Sequence, residues 1–206
     1  MEKPILFSGE MVRAILDGRK TQTRRVIKPQ PIDDDGDLIG PCEHTSTLVD
    51  KEGLFQPGPR YYGLSYDDGR IGWRCPFGQP GDELWVREAW THASKYWDVK
   101  PSEIPACDNP AIWYRADAPQ TPNWTSWRQS IFMPRWASRI QLKITDLRVE
   151  RVQDISESDC EVEGLKLLQR GIRTEFQCLW DSINSSRGYG WDVNPWCWVV
   201  EFERIT

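Results

Sequence analysis

Apolar and polar positions repeat with two periods along this chain. Met11, Val12, Ile15 and Leu16 fall on one face at helical spacing, so residues 8–17 read as a short helix. Ser8 suits its N-cap, Glu10 its first turn and Gly18 its stop. Residues 174–185 carry Phe176, Leu179, Trp180 and Ile183 at i, i+3, i+4 and i+7, the strongest helical stripe in the chain. A third, shorter helix starts at Ser156, with Asp159 in the capping-box position, and ends at Gly164. Period two appears at residues 83–90, with Leu84, Val86 and Glu88 on one face and Trp85 and Arg87 on the other. It appears again at 139–149, where Ile140, Leu142 and Ile144 share a face. Residues 4–7, 26–27, 111–116 and 195–204 complete the expected strands. Residues 28–80 show neither period. Pro29, Pro31, Pro57, Gly58, Pro59, Pro76, Pro80 and the acidic run Asp33-Asp34-Asp35 predict a long irregular loop, although Tyr61, Tyr62, Tyr66 and Trp73 call for packing. Residues 117–130 read as another loop. Short strands with one early and two late helices predict an α+β fold around a mostly antiparallel sheet or small barrel.

Length and composition narrow the class. The 206 residues suit a single domain, 1–206, with loop insertions at about 28–80 and 92–135. No apolar run approaches the roughly 20 residues that span a bilayer, and Met1-Glu2-Lys3-Pro4 opens no apolar leader. A cytoplasmic protein with no membrane partner is the expectation. The net charge of -5 argues against nonspecific coating of nucleic acid, which needs many phosphate contacts, but leaves room for a local basic pocket. The six cysteines are scattered without a C-x-x-C pair, so reduced, structural thiols are expected. Tryptophan is over-used, at twelve residues. Trp85, Trp113, Trp196 and Trp198 lie in strand-like runs. Trp124, Trp127 and Trp136 lie among arginines, where aromatics serve either base stacking or packing.

Three places can carry chemistry. The first is the basic turn Gly18-Arg19-Lys20-Thr21-Gln22-Thr23-Arg24-Arg25. Its cations and hydroxyls can hold an anion or a base, perform acyl chemistry, or simply face solvent. A threonine hydroxyl becomes a nucleophile beside a base, and a desolvated lysine can be that base. Lys20 and Thr23 are three apart, so they converge only if the turn bends the chain, which Gly18 permits. The second is Glu163, just before Gly164. At a helix C-terminus it faces the negative end of the dipole, which favours a raised pKa and a general acid or base role; an exposed surface carboxylate is the alternative. The third is Arg135 and Arg139 around Trp136, either a site for phosphate or carboxylate or a surface salt-bridged pair. Cys42, His44 and Cys75 offer three zinc ligands without an evident fourth. Glycine-rich phosphate loops and G-x-S-x-G are absent from the sequence, and His92 has no triad partners in view. No metal or other cofactor is expected.

The basic turn resembles the signature of the ASCH domain, G-x-K-x-x-x-x-R after the first helix, with Gly18, Lys20 and Arg25 in its fixed places. The Gly81-Asp82 turn and the strand after it, the later strand at 139–149, the Ile-Ser-Glu helix start and the closing apolar strand follow the same order. Nearly the whole chain, including residues 133–139 and the Trp- and Gly-rich tail, is similar to ASCH-domain proteins of phages and prophages. The resemblance implies a PUA-like β-barrel. It also implies, more distantly, a likeness to small bacterial enzymes that hydrolyse N4-acetylcytidine to cytidine and acetate. Their catalytic lysine and threonine lie in a G-R-K-T-x-T stretch that corresponds to Lys20 and Thr23. Their catalytic glutamate corresponds to Glu163. Those enzymes are about half as long and lack both the long loops and residues 133–139. Other PUA-like domains bind RNA or modified bases without catalysis. The expectation is therefore an amidohydrolase of acylated nucleobases or nucleosides, with Lys20, Thr23 and Glu163 catalytic and Arg25, Arg135, Arg139 and Trp136 binding ligand. The alternatives are a module binding a modified base or short single-stranded RNA and, third, a ribonuclease.

Overall fold

The computed structural model describes residues 2–31, 38–51, 53–66, 72–92, 98–100, 103–104, 111–117, 126–166 and 170–205. In chain order the main elements are β1 (Glu2–Leu6), α1 (Gly9–Leu16), β2 (Gln22–Val26), β3 (Leu38–Val49), β4 (Phe55–Tyr66), β5 (Gly72–Arg74), β6 (Glu83–Arg87), β7 (Trp90–His92), β8 (Ile112–Tyr114), β9 (Gln141–Arg151), α2 (Glu157–Val162), α3 (Ile172–Asn184) and β10 (Trp196–Arg204). The fold is α+β with mostly antiparallel pairing. Among the described residues the strands form sheets of five, three and two, and none of these closes into a barrel.

The five-stranded sheet, in the order β1-β6-β9-β10-β2, carries the core. Only β1 and β6 run parallel; the other pairs are antiparallel. Alternation in β9 turns Leu142, Ile144 and Leu147 inward, with Ile140 just before it. They meet Leu84 and Val86 of β6 and Trp198, Val200 and Phe202 of β10. Val12 and Ile15 of α1 enter the same core. Ser8 accepts a hydrogen bond from the Met11 amide and so caps α1 as its position predicts. A second cluster joins α2 and α3 to the sheet through Cys160, Ile172, Phe176, Trp180 and Cys197. Its thiols are pushed up by burial, Cys160 to about 11 and Cys197 further, which makes both unreactive packing groups.

The structure corrects the expectation of a long irregular loop at 28–80. β3, β4 and β5 form an antiparallel sheet, and Leu64, Tyr66, Trp73 and Cys75 from this segment belong to the main core. The two long strands hide their period because Pro41, Pro57 and Pro59 interrupt it and two register shifts turn side chains out of phase. Gly63 is a packing requirement, since a Cβ there would lie 1.9 Å from the Trp73 carbonyl oxygen. The Asp33–Asp35 run, Trp124 and Cys107 lie outside the described residues. β7 and β8 pair over a third cluster of Trp90, Ile104, Met133 and Ala137, with Trp136 packed against it.

Candidate functional site

The basic turn is built by the end of α1. The amides of Arg19 and Lys20 both donate to the Ala14 carbonyl, at 2.9 and 3.0 Å, and Gly18 reverses the chain with φ +72°. The turn then docks on the C-terminal end of α2. The Thr21 amide donates to the Val162 carbonyl at 2.9 Å, and Lys20 and Glu163 form a β-bridge. Gly164 allows this approach twice over. Its φ is +90°, and a Cβ on it would lie 2.8 Å from Ala14 Cβ and 2.9 Å from Lys20 Cβ.

Two residues 143 positions apart thereby become a buried ion pair. Lys20 Nζ donates to Glu163 Oε2 at 2.7 Å, to the Glu163 carbonyl at 2.8 Å and to the Gln22 carbonyl at 2.7 Å. These three bonds satisfy all the protons of an ammonium. Its place at Glu163, the C-cap of α2, also suits the negative end of that helix. The Lys20 side chain is 0% exposed and that of Glu163 is 6%. Burial pulls the Lys20 pKa below the ordinary lysine range, and the Glu163 carboxylate only partly opposes it.

The second carboxylate oxygen behaves differently. Glu163 Oε1 is buried without a hydrogen-bond partner. Arg24 Nη1 lies 3.5 Å from it. Arg24 is itself held by Glu150 at 2.7 Å and Asp159 at 2.9 Å. Arg148 completes that network through Glu150 at 2.5 Å, Asp159 at 3.0 Å, Gln22 Oε1 at 2.9 Å and Glu201. Burial raises the Asp159 pKa, but the Arg24 and Arg148 guanidiniums outweigh it, and the carboxyl ends below the usual aspartate range.

Thr23 and Arg25 alternate with Arg24 along β2. Thr23 is 3% exposed and pairs with Val200 of β10. Arg25 donates to the Leu6 carbonyl at 2.6 Å, and its guanidinium lies 5.1 Å from the Phe7 ring centroid. Lys20 Nζ lies 5.7 Å from that same ring. Thr23, Arg24, Arg25 and Glu163 line one cleft of about 240 Å³, whose other walls include Met11, Phe77 and Leu179, Trp180 and Ile183 of α3. The stripe on α3 thus divides, with Phe176 and Trp180 anchoring the helix and Leu179 and Ile183 presenting apolar surface to the cleft.

Thr23, Arg25 and Glu163 therefore share one cleft, Lys20 is joined to them through Glu163, and the other sequence candidates lie elsewhere. Arg135 pairs with Glu2 at 2.8 Å. Arg139 is held by Glu88 at 2.8 and 3.1 Å and by Asp117, over the Tyr114 ring at 4.0 Å. Trp136 packs edge-on against Trp90, with centroids 6.0 Å apart. The loop tryptophan is a packing group here. His44 Nε2 lies 3.3 Å from Cys42 Sγ, but Cys75 does not join them, and no cluster of three His, Cys, Asp or Glu side chains able to hold a metal occurs among the described residues. Sequence reasoning missed Arg24, whose only local signal was its position beside Thr23.

A short, water-poor Lys–Glu contact can pass a proton between its partners at little cost, because the neutral pair escapes the penalty of burying two charges. Glu163, with one carboxylate oxygen unbonded, and Thr23, which bears a hydroxyl, line the same small cleft. No family model, no curated protein and no solved structure matches the chain.

Proposed function

We propose that this cleft hydrolyses the amide of an N-acylated nucleobase or nucleoside, the activity implied by the ASCH resemblance, on a fold akin to the PUA-like barrels. The supporting observation is Glu163. It is buried, bound to Lys20 through one oxygen, has no hydrogen-bond partner on the other, and lines the same cleft as Thr23. An unpaired buried acceptor costs about 1–3 kcal/mol, and a substrate N–H or a water in the cleft would relieve it.

In this reading Lys20 passes a proton to Glu163 and becomes a neutral amine, a form that its burial already favours. The amine accepts the Thr23 proton as Thr23 Oγ attacks the acyl carbonyl. Protonated Glu163 then gives its proton to the departing amine of the base, and as a carboxylate it orients the water that releases the acyl group from Thr23. Arg25 fixes the non-reacting part of the substrate.

The test is incubation of the pure protein with N4-acetylcytidine, read by cytidine and acetate release. Turnover is expected, lost in Thr23→Ala and Glu163→Gln and partly kept in Thr23→Ser, which retains a hydroxyl. No turnover by the unaltered protein, or full turnover by Thr23→Ala, overturns this reading. Binding without turnover is the second reading. It is favoured by the cations on the same wall, and cytidine binding with no acetate release from N4-acetylcytidine would establish it.

A further inference from the structure

The cleft carries two cations that the chemistry above does not use. Lys28 and Arg187 line it together with Arg25. Lys28 lies two residues beyond β2, and Arg187 ends the 3-10 turn Ser185–Arg187 that follows α3. Tyr189 links them, because Lys28 Nζ lies 4.8 Å from its ring centroid and Arg187 is two residues away in sequence.

How these charges are held separates them from the other arginines described above. Arg24, Arg135, Arg139 and Arg148 are held by carboxylates, which cancel their charge. Arg25 and Lys28 instead lie over aromatic rings, Phe7 and Tyr189. A ring face positions a cation without neutralising it. No carboxylate lies within salt-bridge distance of Arg25, Lys28 or Arg187 among the described residues. Solvated cations on an open face need no explanation, but Arg25 is different. Burial pushes its guanidinium pKa down, and its Nε is buried with no hydrogen-bond partner. The Glu163 charge opposes this shift only in part, and a buried donor left unpaired is costly unless a ligand completes it. A protein of net charge -5 keeps positive charge at this cleft.

We infer that Arg25, Lys28 and Arg187 form an anion subsite, so that a nucleoside monophosphate, or its N-acylated form, is bound in preference to the free nucleoside. The nucleoside half of this assignment rests on the reading under Proposed function; the phosphate half rests on the cations alone. A dianionic phosphate gives each guanidinium or ammonium a charge-assisted partner, and the apolar wall of Leu179 and Ile183 suits a base. The cleft, at about 240 Å³, is slightly smaller than common small-molecule sites of roughly 300–1,000 Å³, which fits one nucleotide better than a strand.

Calorimetric titration at low salt compares cytidine 5′-monophosphate, cytidine and a short oligocytidylate. The monophosphate is expected to bind about ten-fold or more tightly than cytidine, as one charge-assisted contact implies. The double variant Lys28→Ala/Arg187→Ala, altered at two exposed positions, is expected to lose that preference, with its affinity for the monophosphate falling about ten-fold more than its affinity for cytidine. Equal binding of nucleotide and nucleoside, no nucleotide binding, or a preference that survives the double variant overturns the subsite. So does an oligocytidylate that binds while the monophosphate does not. The outcome is independent of the hydrolase reading. Release of acetate from N4-acetylcytidine with no effect of a 5′-phosphate would leave the hydrolase and remove the subsite, whereas nucleotide-selective binding without acetate release would do the reverse.

Discussion

Lys20 is a cation with no exposed side-chain surface, and its environment is built to hold it. Three acceptors at 2.7–2.8 Å replace its hydration shell, two of them from one residue. Removing the ammonium alone strands a buried carboxylate. Lys20→Met is therefore expected to lower the unfolding free energy by about 3–5 kcal/mol, and Lys20→Met/Glu163→Leu by clearly less, since the double change leaves no charge behind. Urea unfolding of both variants and the parent checks this, and a double variant no more stable than Lys20→Met would mean that no stranded charge is relieved. Lys20, Thr23 and Glu163 were legible in the sequence because their chemistry is carried by residue type and by local punctuation, glycines 18 and 164. Arg24 was not legible. Its partners, Glu150 and Asp159, are 126 and 135 residues away, and nothing near it in the chain announces them.

At the scale of elements, the site is a junction between two helix ends, the C-terminal end of α1 and that of α2. Gly164 is the hinge of that junction. Gly164→Ala puts a methyl group within 3 Å of both Ala14 Cβ and Lys20 Cβ and strains a backbone at φ +90°. A loss of about 1–3 kcal/mol is expected, as for overpacking combined with an unfavourable φ. It should come with reduced activity or ligand binding, because the methyl displaces Lys20 itself. A stable variant with unchanged function would contradict the tight docking. The three helices were readable from the sequence since caps and stripes are local signals, and Ser8 and Ser156 both cap as their positions indicate. The β3–β4 pair was not, because its stability comes from cross-strand partners such as Tyr62 opposite Glu43 and not from a repeating pattern.

At the scale of the whole molecule, the segment that looked like an insertion is part of the main core. Leu64 is 1% exposed and packs with residues from both ends of the chain. Leu64→Ala is expected to destabilise by about 2–5 kcal/mol. It should do so in one unfolding transition, seen alike by tryptophan fluorescence and circular dichroism. A separate early transition would mark the β3–β4–β5 sheet as an appendage. The order of the five-stranded sheet has a further consequence. β2, which carries Thr23, Arg24 and Arg25, finds its sheet partner in β10, the last strand. On a ribosome, the basic turn and β2 emerge well before β10, so β2 first stands without that neighbouring strand. The β2 wall of the cleft can settle into its sheet only once residues 196–204 have left the exit tunnel, so the basic turn is translated long before that wall is built.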